Sequence, residues 1–209
     1  MEMSRLSSSS LPARGNATAK RLFDLVLACL AAIPGVPIVV CCAAAIRLTS
    51  PGPAIFRQAR VGRGGKAFVC LKLRTMHAGT AHAPSHETGA AAITPLGRRL
   101  RRLKFDELPQ LWNVIAGDMS LVGPRPSLPT QSELIEARAR LGVDRIRPGI
   151  TGVSQVAGLD MSEPQRLAAM DATYLADMSI RRDLSVLALT VLGIFGRREP
   201  IGDAADNGG

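Results

Sequence analysis

Asp106 and Glu107 stand side by side in the run Phe105-Asp106-Glu107-Leu108-Pro109-Gln110-Leu111-Trp112-Asn113, and cations crowd both flanks. Arg98, Arg99, Arg101, Arg102 and Lys104 come before them, and Arg125, held between Pro124 and Pro126, comes after. Neighbouring carboxylates repel, so keeping both at the mouth of an apolar segment calls for compensating cations or a metal. Such a group suits a phosphorylated substrate. Arginine neutralises phosphoryl oxygens, while an acidic side chain holds a divalent cation or attacks phosphorus. The plain structural alternative is a helix N-terminus whose dipole the acids complement, with Asp106 as its cap.

Several elements must bring these residues together. Thr94-Pro95 reads as an N-cap followed by proline in the first turn, opening a helix from Leu96 to Lys104 with Leu96, Leu100 and Leu103 on one face. Upstream, Ala54–Gln58 and Ala67–Met76 read as two strands of a hairpin joined through the glycine-rich basic stretch 60–66. That stretch either offers backbone N–H groups to a phosphate or is a solvated turn, since it lacks the spacing of a P-loop or a dinucleotide fingerprint. Lys72 and Arg74 share a strand face and would meet a phosphate or lipid headgroups. Downstream, Ser132–Leu141 reads as an amphipathic helix, 150–156 as a loop or short strand, and Pro164–Met178 as a helix. Leu184–Phe195 is apolar and bounded by Arg181-Arg182 and Arg197-Arg198. It is too short to span a bilayer, so it lies in the headgroup plane or caps the core.

The longest apolar segment runs from Leu25 to Ile46 without a charge, between Lys20-Arg21 and Arg47. A straight helix of that length reaches roughly 33 Å, enough to cross a hydrocarbon core. Pro34 and Pro37, around Gly35, predict a sharp interruption at its middle. Cations at both ends give no positive-inside asymmetry and favour both ends on one side of the membrane. A helix that enters one leaflet, breaks and returns satisfies both facts, provided protein or polar groups satisfy the carbonyls freed at the break. A cleaved signal peptide and a buried core helix are the other readings. The segment is long for the first and apolar on every face, which a core helix need not be.

With 209 residues, a net charge of +9 and a pI near 10.4, the chain can build one core and points to anionic partners. One Trp and one Tyr leave little on which bases could stack, which ranks nucleic acid below membrane and phosphate. Cys29, Cys41, Cys42 and Cys70 have no metal or disulfide spacing and read as small apolar residues. His77, His82 and His86 fall in a Gly/Ala/Thr-rich loop.

Together, Lys20-Arg21-Leu22-Phe23-Asp24, the Phe105–Asn113 run, Gly117-Asp118-Met119-Ser120-Leu121-Val122-Gly123-Pro124-Arg125-Pro126 and Arg147-Pro148-Gly149-Ile150-Thr151-Gly152 resemble the bacterial sugar transferase family, the monotopic phosphoglycosyl transferases. The resemblance covers about residues 20 to 195 and implies the small form, without an additional N-terminal membrane domain. It implies transfer of a sugar 1-phosphate from a UDP-sugar to undecaprenyl phosphate with release of UMP, at the cytoplasmic face of the bacterial inner membrane. In that pattern Asp106 is the nucleophile and a Mg²⁺ ligand, and Glu107 assists with metal or proton handling. Arg125 and Arg147 are phosphate clamps, with Lys72, Arg74 and Arg102 as further phosphate ligands. Lys20, Arg21, Asp24, Pro34 and Pro37 belong to the membrane anchor. The family often has Ser-Pro at the membrane break, where this chain has Val36-Pro37, so hydrogen bonding there must come from elsewhere.

The expected architecture is α+β and helix-rich. A disordered leader (1–17) precedes a re-entrant membrane helix (18–48), a catalytic domain at the interface (49–198) with a short β-hairpin and amphipathic interfacial helices, and a disordered tail (199–209). Anionic phospholipid and a second copy of the chain are further candidate partners. A basic membrane-surface scaffold without catalysis is the competing reading. It explains the charge and the apolar segment but has no use for Asp106-Glu107.

Overall fold

The computed structural model describes residues 14–77, 79–80, 92–159 and 161–196. The expected tail, most of the expected leader, His82, His86, Arg197 and Arg198 lie outside them. Helix α1 (Arg14–Thr49) begins four residues before the expected boundary at 18 and is 36 residues long. It runs helically through Pro34 and Pro37, where the sequence predicts helix, break and helix. Two prolines three residues apart delete only two amide donors, too few to end a helix held by contacts on either side of them.

Those contacts form one stripe. Asp24, Ala28 and Gly35 are buried, as is Ile46, and Val39, Cys42 and Ala43 pack beside Ile46. The spacing of three, four and seven residues places them on a single helical face. The opposite face leaves Leu22, Val26, Leu30, Ile33, Val36 and Val40 exposed. Only 11% of the most apolar part of α1 is buried, which excludes a core helix.

Strands β1 (Ile55–Val61) and β2 (Ala67–Leu73) form the expected antiparallel hairpin, with Ile55 opposite Leu73 and Val61 opposite Ala67. The turn Arg63–Gly65 is a 3₁₀ turn in which Gly64 and Gly65 take positive φ of 66° and 74°. Three of its amides are spent on itself: Gly62 N–H donates to Lys66 O, Gly65 N–H to Gly62 O and Lys66 N–H to Arg63 O.

Helix α2 (Pro95–Arg102) starts as expected, with Thr94 Oγ1 accepting from Gly97 N–H at 2.9 Å. It ends two residues early because Lys104 turns left-handed, with φ of 60°. A 3₁₀ turn, Phe105–Glu107, then leads to α3 (Gln110–Ala116). Strand β3 (Ser120–Val122) follows, then α4 (Ser132–Arg140) and β4 (Gly149–Thr151), which pairs in parallel with β3. The short α5 (Val153–Val156), α6 (Pro164–Ala176) and α7 (Ile180–Gly196) complete the described chain. Thus 150–156 splits into a strand end and a helical turn, and the apolar segment lies in a 17-residue helix that opens on Ile180-Arg181-Arg182-Asp183.

Two apolar clusters fix α1 to the domain. Ala28 joins Cys70, Val114, Met119, Val122 and Tyr174 in one, and Ile46 joins Ala54, Leu73 and Leu100 in the other. A third, Leu134, Ala137, Leu167 and Ala168, joins α4 to α6. Asn113 locks α3 to the hairpin: it accepts from Leu71 N–H at 3.0 Å and donates to Val69 O at 2.8 Å. Two such bonds contribute roughly 1–3 kcal/mol and fix the turn before α3 against strand β2.

Candidate active site

Asp106 and Glu107 lie in the 3₁₀ turn, each 8% exposed, and neither caps a helix. Lys104 occupies the cap position of the turn and Pro109 that of α3, without side-chain caps. The dipole reading therefore fails for Asp106. The two carboxylates are held differently. Glu107 Oε1 lies 3.3 Å from Lys72 Nζ and 3.5 Å from Arg125 Nη1, and Oε2 lies 3.9 Å from Lys104 Nζ. Burial opposes its charge, but Lys72, Arg125 and Lys104 outweigh burial and draw its pKa down to about 2. Asp106 instead has a buried Oδ1 with no hydrogen-bond partner. Burial, and then the Glu107 charge, raise its pKa above the ordinary carboxylate value.

The pair stands in the wall of a cavity of about 1140 Å³. Lys72, Arg101, Lys104 and Arg125 line it with the acids, and Pro53, Ala54, Ile55 and Phe56 add apolar lining, together with Arg47, where α1 leaves its apolar run. Burial and the neighbouring Arg125 lower the pKa of Lys72, and Glu107 is the largest influence opposing them. A wall with one unpartnered carboxylate among fixed cations suits attack on, and stabilisation of, a phosphoryl group.

Arg125 is fixed from both sides. Its carbonyl accepts from Arg138 Nη1 at 2.8 Å, and the next carbonyl, Pro126 O, accepts from Arg60 Nη1 at 2.9 Å. Arg138 is in turn held by Asp171 Oδ2 at 2.6 Å, and Asp171 Oδ1 accepts from Ser154 Oγ. Arg60 is buried; burial and the adjacent Arg125 pull it down to about 10. The glycines of these motifs have a steric reason: a Cβ on Gly149 would stand 2.1 Å from Gly123 N, and one on Gly152 2.2 Å from Gly123 O.

Of the cations expected at the site, Lys72 and Arg125 are brought to Glu107. Arg74 touches the cavity but donates to Pro51 O at 2.6 Å and Ser50 O at 2.9 Å, so it clamps the turn after α1. It lies past the end of β2, which is why it diverges from Lys72. Arg102 is exposed on α2 and does not line the cavity. Arg147 lies elsewhere, with Nε donating to Gly117 O at 2.8 Å beside a second, smaller cavity. Proline on its C-terminal side suggested a second clamp like Arg125, but its side chain lines the second cavity and not the one with the acids. The sequence reading missed Arg47, Arg57, Arg60, Arg101 and Lys104. The signal for Arg101 and Lys104 was present in the basic run before the acids, of which the sequence reading carried only Arg102 to the phosphate site.

Lys20, Arg21 and Asp24 do meet as a group. Lys20 Nζ lies 2.8 Å from Asp24 Oδ1 and 2.9 Å from Asp183 Oδ2, the latter an ion pair without hydrogen-bond alignment. Asp24 also accepts from Ser120 Oγ at 2.8 Å and Leu121 N–H at 3.2 Å. Arg21 donates to Val114 O and Ile115 O, the last carbonyls of α3. The cysteines are free, as expected, with Cys70 buried in the core.

The family model for bacterial sugar transferase matches residues 15–197. The chain is 43% identical over 182 residues to a UDP-glucose:undecaprenyl-phosphate glucose-1-phosphate transferase of Caulobacter vibrioides, covering 82% of this chain and 68% of that protein. It is 35% identical to a protein of the same name from Escherichia coli, covering 86% of this chain and 41% of that one. A UDP-N-acetylgalactosamine-undecaprenyl-phosphate N-acetylgalactosaminephosphotransferase of Aeromonas hydrophila is 34% identical, with 91% and 47% covered. The chain thus spans about two thirds of the first relative and less than half of the other two. On the match of nearly its whole described length, this chain belongs to the bacterial sugar transferase family.

Proposed function

We propose that the chain transfers a sugar 1-phosphate from a UDP-sugar to undecaprenyl phosphate, releasing UMP, in two steps through Asp106, as the first membrane step of a bacterial polysaccharide. The observation that carries this is the asymmetry of the acid pair: Glu107 is committed to three cations, while Asp106 keeps a buried oxygen unpartnered in the cavity wall. In the first step an Asp106 oxygen bonds to the β-phosphorus of the donor. The bond from that phosphorus to the bridging oxygen breaks, and its electron pair leaves with UMP. In the second step an oxygen of the lipid phosphate bonds to the same phosphorus, and the Asp106 oxygen departs as carboxylate. One site then serves a soluble donor and a membrane-bound acceptor in turn, giving ping-pong kinetics. Lys72 and Arg125, held by Glu107, bind and stabilise the phosphoryl oxygens as charge builds on them.

Magnesium fits this wall, because it takes one or two carboxylates and completes its shell with water and substrate phosphate. Asp106 offers one carboxylate, and no set of three or more acidic, Cys or His ligands forms among the described residues. Bound with the donor, the ion would neutralise the diphosphate. The apolar lining of the cavity, Pro53 to Phe56 with Arg47, suits a polyprenyl chain arriving along α1.

The same reading places the chain on the cytoplasmic leaflet of the inner membrane, with both ends of α1 on that side. What supports it is that Lys20 and Arg21 at one end, and Ile46 and the turn clamped by Arg74 at the other, are bound to one domain. A scaffold without catalysis leaves the buried, unpartnered carboxylate without a use. Intact-mass analysis after incubation with donor alone tests the proposal. The wild-type chain should gain one sugar phosphate and Asp106→Asn should not; an adduct that persists in Asp106→Asn, or is absent from an active wild type, refutes it.

A further inference from the structure

The second cavity, about 300 Å³, lies where the first turns of α1 meet the segment before β4, and Lys20, Arg21, Arg63, Arg145 and Arg147 line it. Asp24 is the carboxylate among its lining residues, and it pairs with Lys20, which also meets Asp183. The four arginines have no carboxylate within ion-pair distance among the described residues. Three of them are aimed by backbone instead. Arg21 donates to Val114 O at 2.8 Å and Ile115 O at 3.1 Å, Arg147 Nε to Gly117 O at 2.8 Å, and Arg63 Nε to Arg145 O at 2.8 Å. Arg63 and Arg147 thereby keep their terminal nitrogens for something else. Arg21 and Arg147 converge on Gly117, where a Cβ would lie 3.5 Å from Arg21 Nη2.

Four guanidiniums gathered around one lining carboxylate, Asp24, repel one another: burial together with Arg21 and Arg63 lowers the pKa of Arg147, and Asp24 opposes this without reversing it. An anion with several acceptor oxygens relieves that repulsion, and the guanidinium fork matches phosphate in particular. We propose that this cavity is a second phosphate-binding site, formed by Arg63, Arg145 and Arg147 and separate from the Asp106 cavity. The phosphate could come from two sources, an anionic lipid headgroup or a soluble phosphate or diphosphate. Lys20 and Arg21 immediately precede the apolar run of α1, which sets the cavity at headgroup level if α1 is in the membrane. The lipid source rests on that membrane reading; the phosphate chemistry does not, and neither depends on the role of Asp106.

The test uses the full chain in neutral detergent, carrying Arg125→Gln to weaken anion binding at the first cavity. Arg63 and Arg145 are exposed, so Arg63→Gln with Arg145→Gln leaves the core intact. Calorimetry with pyrophosphate should show binding that the added double substitution weakens roughly tenfold or more. In parallel, chains taken from nanodiscs of phosphatidylcholine mixed with phosphatidylglycerol are examined by native mass spectrometry. Retention of phosphatidylglycerol that is lost with the double substitution identifies a headgroup site; pyrophosphate binding without such retention identifies a soluble ligand. If neither anion binds, or both bind equally with and without the double substitution, the second site does not exist. Circular dichroism of the substituted chain, expected to be unchanged, separates these outcomes from misfolding.

Discussion

Lys72 Nζ and Glu107 Oε1 lie 3.3 Å apart, joining strand β2 to the turn that carries Asp106. With Arg125 and Lys104 also facing Glu107, its pKa falls from an ordinary 4.5 to about 2 although burial alone would raise it. A lowered carboxyl pKa stabilises the fold fully above the unfolded value, and that stabilisation is lost as pH falls through the folded value. Denaturant midpoints of the wild type should therefore drop between about pH 4.5 and 2, by an amount on the order of 3 kcal/mol in stability. Glu107→Gln should be less stable at neutral pH and should lack this part of the acid dependence. Parallel curves for the two proteins would contradict the assignment.

Asp106 titrates in the opposite direction. Burial, and next the Glu107 charge, raise its pKa above the ordinary 3.8. Only the carboxylate attacks phosphorus, so single-turnover adduct formation should rise with pH through that raised value. Removing the Glu107 charge takes away one of the two causes, and the acid limb of Glu107→Gln should move to lower pH even though its rate falls. A limb that stays in place would mean another group titrates there.

The acid pair, Arg125 and the hairpin were legible because each is a local signal: adjacent charges, an arginine between prolines, alternating residues around Gly64-Gly65. What was not legible depended on residues far apart in the chain. Nothing local distinguishes Arg125, which reaches Glu107, from Arg147, whose Nε is taken by Gly117 O. The glycines are similar. Gly97 needs to be glycine because a Cβ there would stand 2.1 Å from Thr75 O, a contact between segments 22 residues apart. The dipole alternative for Asp106 failed on one backbone detail, the left-handed Lys104 that puts a separate turn before α3.

Arg138 touches no substrate in this reading, yet it holds Arg125 O at 2.8 Å while paired with Asp171. Removing one member of a buried pair leaves the other charge uncompensated, so Arg138→Met should cost about 3–5 kcal/mol of stability. Arg138→Met with Asp171→Leu should recover much of that loss. A positioning role predicts that the double variant, though stable, binds donor more weakly, because the loop carrying Arg125 has lost one of its two arginine ties. If the double variant recovers both stability and KM, Arg138 is structural only.

The membrane reading of α1 makes the last prediction, and its two ends decide it. A helix crossing the bilayer would place Ala19 and Leu48 on opposite sides, whereas one domain binds α1 at both ends, through Arg21 to α3 and through Ile46 to Leu73 and Leu100. In a cysteine-free background, single cysteines at Ala19 and Leu48, both exposed, should therefore react with a membrane-impermeant maleimide from the same side of sealed vesicles. Cysteines at Ile33 and Val36 sit beside the prolines on the face turned from the domain, and they should be protected by lipid and become reactive in its absence. Protein burial alone cannot give that result, because those side chains are 72% and 58% exposed in the protein itself. Labelling of Ala19 and Leu48 from opposite sides would require a spanning helix and a domain detached from one of its ends. It would then also take Arg47 away from the cavity it lines with Asp106, and the proposed route for the lipid acceptor would go with it.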